Sequence, residues 1–185
     1  FNVSSLKGFG IEDDTLAIIS AGCALYYVDK NFQGRIKHIQ SLSVLQEAGI
    51  MSLDAFTIRN LEIFKSLSTQ GIHGTLIDTI DQTITGPGSR LLKNWLRQPL
   101  TDPIKINERL DRIGEFINHP ELNESMQNIL RETSDLERIL AKVASGKANP
   151  RDIINTGNTL AKIPTITKLV NKGNPVLKKL VKRFE

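Results

Sequence analysis

The chain has 185 residues, of which 39% are hydrophobic and 24% are charged, and its formal net charge is +4. This composition excludes a disordered chain and favours a globular protein of one or two small domains with a buried core. A lone cysteine excludes an internal disulfide, and no apolar run approaches the roughly 20 residues of a membrane span, so we expect a cytoplasmic protein without a membrane partner.

The N-terminal part of the chain contains a polar, glycine-bearing lead-in followed by a helix. The helix is predicted from Glu12 to Val28, because acidic residues in a first turn interact favourably with the helix dipole. A turn is predicted after it, from Asp29 to Gly34. In the helix, the spacing of the apolar residues predicts a buried side that consists of Leu16, Ile19, Cys23 and Tyr26. The Cys23 thiol is expected to be inert.

The next segment is predicted to hold the only β structure of an otherwise helical chain. Residues 36–45 and 50–53 contain β-branched and alternating stretches, separated by a polar segment that ends in Gly49. This pattern favours a small two-stranded ribbon between residues 36 and 53.

Two short helices are predicted after the ribbon. Asp54 is a predicted N-cap for a helix that runs to Phe64. Residues 65–74 are polar and contain glycines, which is typical of a loop. Thr75 and Asp78 then form a capping-box pattern with aspartate in place of glutamate, which predicts a short helix toward Gln82.

Residues 85–100, TGPGSRLLKNWLRQPL, combine a helix start, an amphipathic helix and a stop. Gly86 and Pro87 open the helix, because the N–H that proline lacks would have no partner in a first turn. Gly88 is predicted at a close backbone approach or an unusual dihedral angle, and Pro99 ends the segment. The predicted buried face is Leu91, Leu92, Trp95 and Leu96, with Trp95 as a core anchor, and the predicted exposed face is Arg90, Lys93, Asn94 and Arg97.

Two amphipathic helices are predicted next. The first runs from Pro103 to Asn118 with Asp102 as its N-cap, and Glu108 and Arg112 are spaced to pair on its outside. The second begins at Pro120. The predicted inward faces are Ile106, Leu110, Ile113 and Ile117 in the first helix, and Leu122, Met126, Ile129 and Leu130 in the second.

Three more helices are predicted in the last third of the chain. Ser134 to Glu137 match the capping-box pattern, and Gly146 closes the helix that follows. Asn149 and Pro150 begin the next helix, which Pro164 ends or kinks near Ile163. Asn174 and Pro175 begin the last.

Basic residues are concentrated at the C-terminal end. From Lys147 onward the net charge is +7, against −3 for the rest of the chain. Spaced lysines on a helix are most often a solvated face, and the alternative is a track for nucleic-acid phosphates. The residues that would make weak phosphate contacts with DNA are Lys178, Lys179, Lys182 and Arg183.

Catalytic and metal-binding patterns are not found. His38, His73 and His119 are scattered over a predicted strand, a loop and a helix boundary, which gives no familiar constellation for catalysis or for a metal. Asp78 and Asp81 could meet on one helix face, although a solvated helix start explains them more simply. We therefore expect no catalytic, cofactor-binding or metal-binding residues in this chain.

Four segments in series carry a resemblance to a known family. They are MSLDAFTIRNLEI (residues 51–63), TGPGSRLLKNWLRQPL (85–100), INERLDRIGEF (106–116) and SDLERILAKVA (134–144). The chain resembles the core, or lever, domain of the MutS family of DNA mismatch-repair ATPases, over residues 1–185. The resemblance implies a mainly α, multi-helical fold and a fragment of a longer protein, because the chain has no GxxxxGK[ST] phosphate loop and no Phe-x-Glu wedge.

The resemblance also implies a domain organisation and a set of partners. Residues 1–34 would form the junction between connector and core, and residues 35–185 the helical core, truncated before the clamp. ATP and Mg²⁺ would bind a separate domain of the parent ATPase, whose partners would be duplex DNA, a second MutS-like subunit and a MutL-like repair protein. The residues with implied or predicted structural or coupling roles are Asp54, Thr57, Asn60, Gly86, Pro87, Gly88, Arg90, Trp95 and Pro99.

Two classes of function remain open. The first is a non-catalytic mechanical module that couples the ATP state of a separate domain to DNA clamps. The second is a free-standing helical module that binds nucleic acid or an acidic protein through its basic end. Composition does not separate them, and the ordered series of motifs favours the first.

Overall fold

The computed structural model describes residues 14–32, 39, 49–171 and 177–179. These residues form nine α-helices, which confirms the mainly α prediction, and Leu177–Lys179 are also helical. The helices are α1 (Thr15–Phe32), α2 (Ala55–Asn60), α3 (Leu76–Ile80), α4 (Gly86–Arg97), α5 (Pro103–Asn118), α6 (Pro120–Arg131), α7 (Leu136–Ala144), α8 (Pro150–Leu160) and α9 (Ile163–Asn171).

The predicted ribbon falls mostly outside the described residues. At its described end, Ile50 forms an isolated antiparallel bridge with Leu100. The Met51 amide donates to the Pro99 carbonyl at 2.7 Å, and the Thr101 amide donates to the Gly49 carbonyl at 2.9 Å. The segment that precedes α2 is thus paired with the segment that follows α4.

The chain divides into two compact units. The first contains Phe1–Gln46 and Arg138–Pro150, and the second contains Glu47–Glu137 and Arg151–Glu185. The predicted boundary between residues 34 and 35 stays a prediction, because residues 33–38 lie outside the described part of the chain.

Helix α1, in the first unit, is longer than predicted and presents a different face. It continues to Phe32, so the predicted turn from Asp29 is wrong, and the Asp14 carboxylate caps it by accepting from the Ala17 amide at 3.0 Å. The predicted buried side is also wrong, since Leu16 is 76% exposed and Cys23 is exposed. The less exposed apolar residues are Ile18, Ala21, Leu25 and Val28. This helix has two apolar stripes, and spacing alone does not choose between them.

The core of the second unit is built around α6 and α9. Met126, Val170 and Leu177 are its buried residues, and the side chains packed against them are Phe116, Leu122, Leu130, Ile166 and Leu169. The predicted inward face of α6 is confirmed in Leu122, Met126 and Leu130. The predicted stripe of α5 is wrong, since Ile117 is 70% exposed and Leu110 and Ile113 are also exposed. Only His119 separates α5 from α6, and α5 reaches this core through Phe116 in its last turn.

Two short helices pack around a second buried pair, Ile63 and Ile77. The Ile77 amide donates to the Ile63 carbonyl at 3.0 Å. Helix α2 ends at Asn60 instead of Phe64, because the chain turns at Glu62, whose φ of 46° lies in the left-handed region. The predicted N-cap of α3 is confirmed, since the Thr75 hydroxyl accepts from the Asp78 amide.

The closing glycine of α7 is confirmed in the first unit. Gly146 has a φ of 69°, its amide donates to the Val143 carbonyl at 3.0 Å, and the Lys147 amide donates to the Lys142 carbonyl at 2.8 Å. These two bonds form a Schellman motif, which requires a left-handed residue and therefore favours glycine.

Candidate functional site at the start of α4

Helix α4 begins directly after Thr85, which caps it. The Thr85 hydroxyl accepts from the Gly88 amide at 3.1 Å, and Pro87 occupies the first turn. A Cβ atom on Gly88 would lie 2.9 Å from Thr85 Oγ1 and 3.5 Å from Thr83 Cβ. Gly88 is not among the residues with positive φ, so what it requires is space and not an unusual dihedral angle.

Gly86 also leaves space for a neighbour. A Cβ atom there would lie 3.0 Å from a carboxylate oxygen of Asp135. That carboxylate comes from the turn before α7, far along the chain. The two glycines therefore serve different contacts, Gly88 within the cap and Gly86 beside a distant carboxylate.

Arg90 connects α4 to that turn. Its Nη1 and Nη2 atoms donate to the two Asp135 carboxylate oxygens at 2.7 and 2.8 Å, and its Nε donates to Glu137 at 3.1 Å. The hydrogen bonds that Arg90 donates to the carboxylates, first to Asp135 and then to Glu137, raise the pKa of Arg90 above its ordinary value. Planar bidentate pairing of this kind fixes orientation as well as distance. Arg90 lies on the predicted polar face with 36% of its side chain exposed, and the sequence contained no sign that its guanidinium makes this tertiary contact.

The capping box predicted at Ser134 is changed by this contact. In that motif Glu137 would accept from the Ser134 amide. Instead Glu137 accepts from Arg90, and the Ser134 amide donates to the Thr159 hydroxyl of α8 at 3.0 Å. A charge-assisted bond to a guanidinium is stronger than a bond to a neutral amide, so the tertiary partner replaces the local one.

Asp81 and Ser89 connect the end of α3 to the first turn of α4. Asp81 accepts from the Ser89 hydroxyl at 2.8 Å, from the Thr83 amide at 3.1 Å and from the Thr83 hydroxyl at 2.5 Å. The bond from the Thr83 hydroxyl and then that from Ser89 lower the pKa of Asp81 below its ordinary value. Asp78 accepts separately from the Gly74 amide at 3.1 Å, so the two carboxylates have different partners.

An open cleft of about 460 Å³ lies beside these residues. Two acidic groups and one lysine face it together with hydroxyl groups and isoleucines. Its lining residues are Ile72, Ile77, Asp78, Asp81, Thr83, Ile84, Thr85, Gly86, Ser89 and Lys93.

Trp95 lies farther along α4 and contacts α5. The Arg109 guanidinium carbon is 4.0 Å from the centre of the Trp95 ring, in a cation–π contact. Desolvation, and then the charge of Arg112, lower the pKa of Arg109. Trp95 is 36% exposed, so the prediction of a core anchor is wrong. One ring face packs against a cation, and the tryptophan joins two helices at the surface.

Comparison with known proteins identifies the family. The model of MutS domain III matches residues 56–183. This chain belongs to the MutS family.

Three MutS-family relatives are similar over most of the chain. The DNA mismatch repair protein MutS of Christiangramia forsetii is 40% identical over 181 residues, which cover 98% of this chain and 21% of that protein. MutS of Flavobacterium psychrophilum is 39% identical over 173 residues, which cover 94% of this chain and 20% of that protein. MutS of Symbiobacterium thermophilum is 40% identical over 166 residues, which cover 90% of this chain and 19% of that protein. The chain therefore spans about a fifth of the length of these relatives.

The corner before α2 is the second group of residues that the MutS resemblance singles out. The Asp54 carboxylate accepts from the Thr57 amide at 2.6 Å, which confirms it as an N-cap. Bonds from Thr57, first its side chain and then its amide, lower the pKa of Asp54. Asn60 is the last residue of α2. These hydrogen bonds are local, and a coupling role for the three residues stays a prediction.

The basic end of this MutS domain is described in part. Lys178 and Lys179 are exposed and directly follow Leu177, which is buried in the core. Lys182 and Arg183 lie outside the described residues. Within the described ranges no cluster of three or more histidine, cysteine or acidic side chains could hold a metal ion. No helix in that part of the chain has the length and apolarity to cross a membrane.

Proposed function

We propose that this chain is the core, or lever, domain of a DNA mismatch-repair protein, and that it couples the ATP state of a separate domain to DNA clamps. The match to MutS domain III over residues 56–183 carries the proposal. The relatives, which are named as DNA mismatch repair proteins, support it.

The contacts of α4 supply a mechanism for this coupling. The bidentate pair of Arg90 with Asp135 fixes α4 to the turn before α7. The Trp95–Arg109 contact fixes α4 to α5. A helix held in two places by oriented contacts moves its neighbours when it is displaced, whereas a helix held by exposed single ion pairs does not. In this proposal the domain acts through the geometry of its helices.

The remaining components belong to the rest of the protein. ATP and Mg²⁺ bind the separate ATPase domain, and duplex DNA lies in the clamps. A second MutS-like subunit and a MutL-like repair protein are the expected protein partners. The free-standing interaction module is the less favoured alternative, since residues 56–183 match one domain of a longer protein.

Replacing Arg90 with alanine in the full-length protein tests the proposal. We expect the ratio of DNA affinities with and without ATP to move toward one by about fivefold or more, the scale of a typical allosteric coupling. Arg90→Lys should not restore the ratio, because one ammonium group cannot form the bidentate fork. The affinity for a mismatched duplex is measured by titration with each variant, once with ATP and once without it.

Arg112→Ala is the matched control for Arg90. Arg112 makes a single ion pair with Glu108 at 3.4 Å on the surface of α5, so its loss should leave the ratio unchanged. If Arg90→Ala folds normally and keeps the wild-type ratio, α4 does not transmit the nucleotide state and the lever proposal fails.

The basic end is expected to bind duplex DNA weakly and without sequence preference. Lys178 and Lys179 are exposed and can contact phosphates, which carry no sequence information. Replacing both by alanine should lower the slope of log affinity against log salt by about two, because each neutralised phosphate adds about 0.9 to that slope. Lys65→Ala with Lys105→Ala is a control of equal charge. Equal slopes for the two double variants, or binding that does not respond to salt, would refute this prediction.

A further inference from the structure

The hydroxyl group of Thr159 is buried and has two partners. Thr159 is 8% exposed. Its oxygen accepts from the Ser134 amide at 3.0 Å, and its hydrogen is donated to the Asn155 carbonyl at 2.8 Å. The first bond crosses 25 residues of sequence and joins α8 to the turn before α7.

The turn that Thr159 holds also binds two other elements. We call residues 132–137 the α7 entry turn. Asp135 and Glu137 bind Arg90 of α4, and Glu132 pairs with Lys162, which lies between α8 and α9. The hydrogen bond from Lys162, and then its charge, lower the pKa of Glu132 below its ordinary value.

The α7 entry turn lies where the chain leaves the second compact unit. Glu137 is the last residue of that unit before the chain enters the first unit at Arg138, and the chain re-enters the second unit at Arg151 in α8. Within the second unit, a change in the position of this turn therefore acts on α8 through the Thr159 hydrogen bond.

We infer that Thr159 is a positioning residue for the coupling, and that its hydroxyl holds the α7 entry turn where Arg90 can bind both carboxylates. This inference rests on the proposed lever function. The bidentate fork tolerates little displacement, because both Asp135 oxygens must meet the guanidinium plane. Without the hydroxyl, the Ser134 amide loses its acceptor and the turn moves to find another.

Three substitutions at Thr159 separate the hydroxyl from the volume of the side chain. Thr159→Val removes the hydroxyl and keeps the shape, whereas Thr159→Ser keeps the hydroxyl. Thr159→Ala removes the same hydroxyl without a branched side chain, and replaces the valine variant if that variant does not fold. Thr156→Val is the matched control, because the Thr156 hydroxyl donates at 3.0 Å to the Asp152 carbonyl of its own helix.

The experiment measures the affinity of the full-length protein for a mismatched duplex with and without ATP. We expect Thr159→Val to move the ratio of affinities toward one by about fivefold, as Arg90→Ala does, and Thr159→Ser and Thr156→Val to keep the wild-type ratio. Amide hydrogen exchange at Ser134 should be faster in Thr159→Val, which reports the missing hydrogen bond directly.

Two results would overturn the inference. A wild-type ratio in Thr159→Val, together with faster exchange at Ser134, would show that the bond stabilises the turn without affecting coupling. If the ratio of affinities moved toward one in both the serine and the valine variants, the effect would be assigned to packing. In either case a changed ratio in Arg90→Ala would leave the lever function standing, whereas an unchanged ratio in Arg90→Ala would remove both proposals.

Discussion

Replacing Gly88 with valine is expected to lower the free energy of unfolding by about 1–3 kcal/mol, the range for forcing extra atoms into a filled site. The added Cβ would lie 2.9 Å from Thr85 Oγ1, the atom that accepts the Gly88 amide and caps α4. The threonine would have to rotate away, and the helix would lose a cap that contributes about 0.5–2 kcal/mol. Denaturant unfolding of the variant and the wild type measures the difference.

Gly114→Val is the matched control for this change. Gly114 lies inside α5, and nothing lies within 4 Å of a Cβ atom built there. Valine favours a helix more than glycine does, by a few tenths of a kcal/mol, so the control should be as stable as the wild type or slightly more stable.

A double-mutant cycle identifies the group that Gly88 must avoid. If the Thr85 side chain is that group, Gly88→Ala should cost clearly less in a Thr85→Ala background than in the wild type. Equal costs in the two backgrounds would show that the Thr85 contact is not the source of the effect.

The same glycine tests the lever proposal in the full-length protein. If the first turn of α4 sets the angle at which the helix meets its neighbours, Gly88→Val should change the ratio of DNA affinities with and without ATP while both binding sites remain. A coupling of about 1–3 kcal/mol is small enough for a modest change in geometry to remove it. An unchanged ratio at wild-type stability would show that residues 85–100 are only a linker.

Leu177→Ala should destabilise the second unit by about 2–5 kcal/mol, the range for removing a buried leucine side chain. Leu177 is 0% exposed and lies in one cluster with Met126 and Val170. The truncated residue would leave a cavity between α6, α9 and the segment that contains Leu177. Urea unfolding followed by circular dichroism measures the change.

A leucine outside that cluster provides the control. Leu160, at the end of α8, is 49% exposed, so Leu160→Ala should cost much less. Leu177 directly precedes Lys178 and Lys179, and its loss should also weaken salt-dependent DNA binding by releasing the basic end. Equal stability of the two alanine variants would contradict the assignment of Leu177 to the core.

The starts of α2, α3 and α5 could be predicted because capping is a local interaction. Asp54, Thr75 and Asp102 each accept a backbone amide two or three residues ahead, and the residue types that can do so are few. The helix start at Gly86 and Pro87 and the stop at Gly146 depend on the same short-range rules. Corresponding predictions of helix ends were wrong at Phe64 and Val28, where the residue types allowed the chain either to continue or to turn.

The contacts of the candidate site could not be predicted from the sequence. Sequence spacing put Arg90 on an exposed face and Glu137 in a capping box, because the partners of each lie outside any local window. Thr159 was missed altogether, since a threonine inside a helix has no distinguishing pattern. A signal existed only in the aspartate and glutamate of the α7 entry turn, which could have suggested a cationic partner.

The sequence by itself determined the helical class, the membership in the MutS family, most helix starts and the inward face of α6. These follow from capping chemistry, from ordered motifs and from a clear apolar period. Only the tertiary structure decided which apolar stripe of α1 and α5 is covered, that Trp95 stacks on Arg109, and that Arg90 binds residues 45 and 47 positions away. The physical reason is that burial and ion pairing depend on what a neighbouring element presents, and this is fixed only when distant segments pack together.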